Sequence, residues 1–491
     1  MAGYRQERSA NVWLSGSPRQ RNLPGGTFCC MSVPPVTPLT PPAVARSASE
    51  RRRTASSGQL LRVMGVAFGV AVGIGSVIGA GILRTPGEIA AQLPNPWLFL
   101  AVWVAGGAYA FLGANSMAEL GTMLPRSGGQ YVYARHAFGT YAGFVVGWSD
   151  WVSSCGSVAA ISFVVAESVG AIAPALAPHV AAVAVIVVLV VTALLWRGAR
   201  ESDRTQQLTS LVKAAALLTL VAACFLLGAR HPVAMANVAP RALPAGSALV
   251  AAFVLALQGV IYSYDGWTGV IYFSEEVRDP ARQIPRSLFG SILSVLVIYL
   301  LINVAFIHVL PMGAMASSTM VAATAATSVF GAYGDRVVRT IVVLALPSAV
   351  TANLLMASRV AFSMGRDGLT TRAAARVSAS GTPTVALLLS SACTVLFVLT
   401  GTFDVVIALL AFMFVAMYAI SFTAVFVLRR REPDAPRPYR VWGYPWTTGL
   451  VLAGSLTFLV AALVSDTRNS VIALLLVVAS YPVYRLVRRF T

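Results

Sequence analysis

Three ionisable side chains sit inside long apolar runs. They are Asp150, beside Trp148, Ser149 and Trp151; Lys213, in Leu211-Val-Lys-Ala-Ala-Ala216; and Asp265, in Tyr262-Ser-Tyr-Asp-Gly-Trp-Thr-Gly269. Such a group at the centre of a bilayer costs about 2.5 to 3.5 kcal/mol on insertion scales, and it marks a route for an ion or polar solute by default. Bond-breaking chemistry has little to stand on. The histidines His136, His179, His231 and His308 are scattered, and the five cysteines Cys29, Cys30, Cys155, Cys224 and Cys393 have neither zinc spacing nor a disulfide framework. No Gly-x-Ser-x-Gly elbow accompanies His308, the only histidine placed to serve an intramembrane enzyme. Lys213 is the sole lysine and is followed by Ala214, so the Gly-Lys-Ser/Thr phosphate loop is missing and any pumping must draw on gradients. No catalytic residue, metal or cofactor is expected.

Two stretches could do chemistry with their backbone. Gly65, Gly69, Gly73, Gly75, Gly79 and Gly81 crowd one apolar run, and each costs a helix about 1 kcal/mol relative to alanine. Gly65, Gly69 and Gly73 are spaced for close helix packing; Gly75, Gly79 and Gly81 go beyond that need and point to a break. The second stretch is the one around Asp265-Gly266. An unwound segment frees amides and carbonyls at mid-membrane. A zwitterion suits them, its carboxylate on the amides of a half-helix N-terminus and its ammonium on the opposite carbonyls.

The elements that must position these stretches follow from composition. The chain has 491 residues, 57% hydrophobic and 11% charged, against roughly 25% charged in soluble domains. It reads as an all-α polytopic membrane protein. Scanning for runs of about 20 apolar residues gives twelve spans, at 63-90, 97-123, 139-168, 180-197, 205-229, 247-275, 288-310, 335-364, 383-400, 403-428, 446-465 and 468-487. A short helix near 318-331 is expected outside the membrane. The two breaks then fall in spans one and six, five helices apart, the spacing of two five-helix repeats with a site between their first members.

The 36 basic residues against 18 acidic ones, a net charge of +18, would suggest nucleic-acid binding in a soluble protein. With the N-terminus inside, nineteen arginines fall in internal loops and the C-terminus against six outside, which follows the positive-inside rule. The charge therefore reads as orientation and attraction to the lipid bilayer, no nucleic acid is expected, and both termini are placed in the cytoplasm. Residues 1-61 contain no apolar run of even ten residues, which argues against a signal peptide and for a disordered basic tail; a start further along, for example at Met31, is the other reading.

Four separated motifs carry a family likeness. They are Gly75-Ser-Val-Ile-Gly-Ala-Gly-Ile82, Pro125-Arg-Ser-Gly-Gly-Gln-Tyr131, Tyr264-Asp-Gly-Trp267 running on to Glu275-Glu276 and Pro280, and Ser358-Arg359 through Arg366-Asp-Gly368. In this order and spacing the sequence resembles the amino acid, polyamine and organocation (APC) transporter superfamily, and within it the L-type amino acid transporters and their bacterial permease relatives, over roughly residues 62 to 489.

The resemblance implies a LeuT-like five-plus-five inverted repeat with broken helices one and six, plus two extra helices. Its domains would be the tail 1-61, repeats at 62-229 and 247-428, and helices eleven and twelve at 445-491. It implies a sodium-independent permease or exchanger in the cytoplasmic (inner) membrane that moves an amino acid substrate by alternating access. The alternative is a cationic amino acid or polyamine antiporter, suggested by Asp150 and Asp265. Carried over by position, the substrate carboxylate meets the amides of Gly79, Ala80 and Gly81. Its ammonium meets the carbonyls of Val77, Tyr262, Ser263 and Asp265, with Tyr262 as an aromatic gate above the substrate.

Asp150 and Trp267 are candidates for the side-chain pocket, and for Asp150 a structural role as acceptor for a neighbouring hydroxyl or indole stays open. Lys213 would replace the sodium ion of coupled relatives by holding helix-one carbonyls such as that of Gly75, as a proton carrier or a fixed brace; a lysine snorkelling to the inner surface is the plainer reading. Glu119, Glu167, Glu275 and Glu276 fall near span ends and are expected to be interfacial partners for loop arginines. The mammalian members bind a heavy-chain partner through a cysteine outside span four. Residues Gly170 to His179 contain no cysteine, so no disulfide-linked heavy chain is expected.

Overall fold

The computed structural model describes residues 60, 62, 64–197, 199–231, 242–378, 381–400 and 403–490. The predicted tail, residues 1-61, falls almost entirely outside the described residues. No strand occurs among the described residues; a single parallel bridge joins Met64 to Val277.

The first predicted span is two helices, α1 (Val66–Val77) and α2 (Gly81–Gln92). They are bent by 44° at the intervening Ile78–Ala80. α3 (Pro96–Met123) opens on an Asn95 cap whose side chain accepts from the Trp97 and Leu98 amides, with Pro96 at the first helical position. After the loop at 124–129 comes the short α4 (Gln130–Phe138), entered through Gly129 at φ +61°, ψ −136°, a region essentially reserved for glycine. α5 (Thr140–Ile172), α6 (Val180–Trp196) and α7 (Ala199–Leu227) follow.

The sixth predicted span is interrupted in its turn. α8 (Ser247–Tyr264) ends at Asp265, Gly266 takes φ +95°, and the chain resumes as a 3-10 turn over Gly269–Phe273. α9 (Pro280–Val309) starts eight residues before the apolar run, because Pro280 suits the first helical position. The extra helix expected near 318-331 is α11 (Val321–Phe330), preceded by the one-turn α10 (Met312–Ala316). α12 (Tyr333–Ala345) and α13 (Pro347–Arg366) divide at Pro347 yet together form one apolar stretch. The remaining helices are α14 (Thr384–Thr400), α15 (Phe403–Arg431), α16 (Trp446–Ser465) and α17 (Thr467–Phe490).

Among the described residues, ten helical stretches are long and apolar enough to cross a membrane, and the bent α1–α2 pair makes an eleventh. α14 is apolar but shorter, which is where the predicted twelve and the length criterion part. α5 and α15 are mostly buried, whereas few positions of α16 and α17 are buried. Exposed positions on α6, α7, α16 and α17 include Ile186, Leu226, Val464 and Val478; apolar side chains on an outer surface fit lipid as solvent. α1 packs against α7 and α9, and α8 against α2, α3 and α15. The two interrupted elements therefore meet inside a shell of other helices.

Candidate functional site

The α1–α2 break and the end of α8 face a common cavity, lined by Ser76, Val77, Gly79, Ala80, Gly81, Ser157, Ile161, Tyr262, Asp265 and Asn353. Gly81 allows the approach: a Cβ there would lie 2.7 Å from Ser263 Oγ and 2.8 Å from Ser263 Cα. The Ser76 hydroxyl, within reach of Val72 O at 2.7 Å, also lies 2.9 Å from Gly266 O and so links the two breaks. The cavity volume is about 20 Å³, room for roughly one water, so the site is closed around a space smaller than any amino acid.

The backbone groups predicted to bind are distributed as follows. The amides of Gly79, Ala80 and Gly81 precede the first hydrogen-bonded turn of α2, whose opening bonds run from Leu83 and Arg84 to the Ala80 carbonyl. They thus lie at the positive end of a half-helix. The carbonyls of Val77 and Ser263 both face the Tyr299 hydroxyl, at 2.8 and 2.9 Å. The Tyr262 carbonyl accepts from the Asp265 amide at 3.2 Å. Tyr262 itself is buried and lines the cavity.

The ionisable residues separate. Asp265 lines the cavity and accepts from Tyr418 Oη at 2.5 Å. Asp150 is buried and accepts from Tyr272 Oη, 2.9 and 3.0 Å from its two oxygens; it is not among the cavity-lining residues. Trp267 is buried too, tilted against Tyr418 at a centroid distance of 5.1 Å, and also stands outside the lining. Lys213 is 2% exposed, and its Nζ donates to Gly75 O at 3.0 Å and Ile78 O at 2.6 Å. Its ammonium therefore sits at the negative end of α1.

One end of the molecule is tied by arginines. Arg359 makes a two-pronged pair with Glu276, at 3.0 and 3.1 Å, both side chains 1% exposed. Arg366 pairs with Glu275, and Arg429 and Arg437 with Glu119. Asp367 collects Arg126 at 3.1 Å, Arg135, and the Tyr131 hydroxyl at 2.9 Å. Burial and the adjacent Asp367 carboxylate push the Tyr131 phenol well above its usual range. Glu167 pairs with Arg84 on α2.

Tyr299, Tyr418, Ser157 and Asn353 were missed as site residues by sequence reasoning. Tyr299 and Tyr418 carried a usable signal, each a phenol within an apolar run, of α9 and α15, but nothing in the sequence says which groups they reach.

Comparison with known proteins adds a second line of evidence. The sequence model for amino acid permeases matches residues 64–481. The serine/threonine exchanger SteT of Bacillus subtilis (strain 168) is 26% identical over 433 residues, covering 87% of this chain and 96% of that protein. The b(0,+)-type amino acid transporter 1 of Mus musculus is 28% identical, covering 78% of this chain and 79% of the relative. The Asc-type amino acid transporter 1 of Mus musculus is 30% identical, covering 78% and 73% respectively.

Proposed function

The chain belongs to the amino acid permease family, and on that premise we propose that it is a sodium-independent secondary transporter or exchanger that carries amino acids by alternating access. It is a multi-pass membrane protein whose relatives are transporters, not enzymes. The observation that carries the reading is the pair of interrupted helices around one cavity, with Lys213 on the α1 carbonyls.

In the proposed cycle the orphan amides of Gly79, Ala80 and Gly81 take the substrate carboxylate, and the carbonyls of Val77, Tyr262, Ser263 and Asp265 its ammonium. Tyr299 shares its one hydroxyl hydrogen between the Val77 and Ser263 carbonyls when no ammonium is there. Lys213 occupies the place of a coupling ion and braces the end of α1. Tyr262 closes the cavity towards the outer side. The arrangement is a five-plus-five repeat, 62-229 and 247-428, with two further helices at 445-491, making twelve spans with α14 as one of them. The bias of arginines supports cytoplasmic termini in the inner membrane. On that orientation the Asp367, Glu276 and Glu119 ion pairs close the cytoplasmic side. The absence of cysteine from Gly170 to His179 favours action without a disulfide-linked heavy chain.

Purified protein in liposomes should show counterflow of a labelled amino acid, tested over a broad panel including L-serine, without ATP or sodium. Failure across the whole panel overturns the reading. A second reading, a cationic amino acid or polyamine antiporter, is favoured by one observation: the Asp265 carboxylate lines the cavity. Asp265→Asn should then abolish arginine or putrescine uptake selectively, and unchanged selectivity rejects it.

A further inference from the structure

Two further cavities lie end to end along one stripe of α5. The first, of about 310 Å³, is lined by Arg126, Arg135, His136, Thr140 and Asp367 among others. The second, of about 210 Å³, is lined by Phe144, Trp148, Trp151, Met364, Leu389 and Val483 among others. Thr140, Phe144, Trp148 and Trp151 are spaced four, four and three residues apart, which puts them on one helix face, so the polar cavity gives way to the apolar one within a turn of α5. The segment after α13 repeats the order, with Asp367 on the first cavity and Leu369 on the second. Leu389, 39% exposed, opens the apolar part to the outer surface that meets lipid.

The polar end carries excess positive charge. Arg126 Nη2 donates to Asp367 Oδ1 at 3.1 Å and Arg135 Nη1 pairs with Oδ2, so two guanidiniums share one carboxylate, which the Tyr131 hydroxyl also reaches. One positive charge is left over. The two arginine side chains are 43% and 31% exposed, and each spends one nitrogen of a fork that has five N–H donors. His136 faces Glu432 at 2.8 Å and adds no net charge. α5 itself opens at Gly139 without a side-chain cap, which leaves first-turn amides at the positive end of a 33-residue helix. The apolar end holds a donor that its surroundings do not use: Trp148 Nε1 is buried with no hydrogen-bond partner among the described residues, whereas Trp151 Nε1 donates to Ser390 Oγ at 2.9 Å.

A phosphate, an ester oxygen and an apolar chain, in that order, are the parts of a glycerophospholipid. We infer that this groove binds an anionic phospholipid of the surrounding bilayer, with its phosphate on Arg126, Arg135 and the start of α5, an ester oxygen on the Trp148 indole, and one acyl chain between α5, α13, α14 and α17. A lipid with a choline headgroup would bring a second cation to a cluster that is already positive. A free phosphate would fill the polar half alone. The inference needs only the membrane location of the chain, and it stands or falls apart from the transport reading.

The test is native mass spectrometry and thermal unfolding of the full chain in neutral detergent, supplied with dioleoylphosphatidylglycerol, dioleoylphosphatidylcholine or inorganic phosphate. Wild type should retain phosphatidylglycerol and unfold at a higher temperature with it than with either alternative. Arg126→Gln should weaken that retention about fivefold. Leu389→Phe, which narrows the apolar cavity and keeps its surface apolar, should weaken it about fourfold, as for one excluded methylene. Arg485→Gln removes an exposed arginine that lines neither cavity and should change retention by less than about twofold. Equal losses in Arg126→Gln and Arg485→Gln would mean attraction by bulk charge, and retention unchanged in Leu389→Phe would mean that no chain enters the cavity. Either result overturns the inference, as does equal stabilisation by phosphatidylcholine or by inorganic phosphate. Should Arg126→Gln fail to fold, Trp148→Phe decides, with an expected loss of about fivefold and unchanged retention as the overturning result.

Discussion

The Lys213 ammonium lies 2.6 Å from the carbonyl of Ile78, the residue that caps the C-terminal end of α1. A cation there offsets the negative end of the helix and satisfies a carbonyl that has no following turn to receive it. The same ammonium reaches Gly75 O at 3.0 Å, so one side chain on α7 fixes where α1 stops.

Removing that side chain should loosen the break. Lys213→Ala leaves two carbonyls without their charged donor, worth about 1.5 to 3 kcal/mol for such a bond. Exchange in proteoliposomes is expected to fall at least about tenfold, with sodium giving no stimulation of the wild type. Wild-type exchange rates in Lys213→Ala would contradict the brace.

Tyr299 predicts an effect of opposite sign with and without ligand. Its hydroxyl serves the Val77 and Ser263 carbonyls, two of the groups proposed to receive the substrate ammonium. Tyr299→Phe should lower the thermal stability of the ligand-free protein by about 1 to 3 kcal/mol. It should enlarge the stabilisation on adding substrate, because the ammonium then meets unpaired acceptors. A ligand-induced shift equal to wild type in a differential scanning experiment would argue against this competition.

Gly79 and Gly81 should differ sharply although they stand two residues apart. A Cβ on Gly79 meets nothing closer than 3.8 Å, whereas one on Gly81 comes within 2.8 Å of Ser263 Cα. Gly79→Ala should therefore retain the fold and mainly raise KM by narrowing the cavity. Gly81→Ala should push α2 away from α8 and abolish transport; equal activity of the two variants would contradict the packing.

The Arg359–Glu276 pair is buried, so breaking it is costly in a way that surface pairs are not. Arg359→Met or Glu276→Leu alone should destabilise by about 3 to 5 kcal/mol through the unpaired charge left behind, and the double variant should recover much of that loss. Thermal unfolding in detergent measures both. Additive losses in the double variant would mean the two residues act independently.

Much of the scaffold was legible in the chain. Glycine and apolar patterning placed the breaks at Gly79 and Gly266 and gave most limits of the apolar spans within a few residues, because lipid forces every backbone group to be satisfied within a helix. The start of α9 was missed by eight residues, since a polar first turn led by Pro280 has no hydropathy signal. In sequence Asp265 stands at the helix break, whereas Asp150 is open between the side-chain pocket and a structural role as acceptor for a neighbouring hydroxyl or indole. Their neighbours in space separate them, with Tyr272 turning Asp150 inward while Asp265 keeps a face on the cavity.

The sequence by itself determined that this chain crosses a membrane many times, which residues interrupt its helices, and which few ionisable groups lie between them, because hydropathy and glycine content act locally along the chain. Only the tertiary structure decided which groups meet across it. Tyr299 reaches two carbonyls from separate helices, Arg359 meets Glu276 across 83 residues, and Arg126 and Arg135 converge on Asp367. Those pairings depend on how helices cross in three dimensions, and the order of residues along the chain carries no direct record of that.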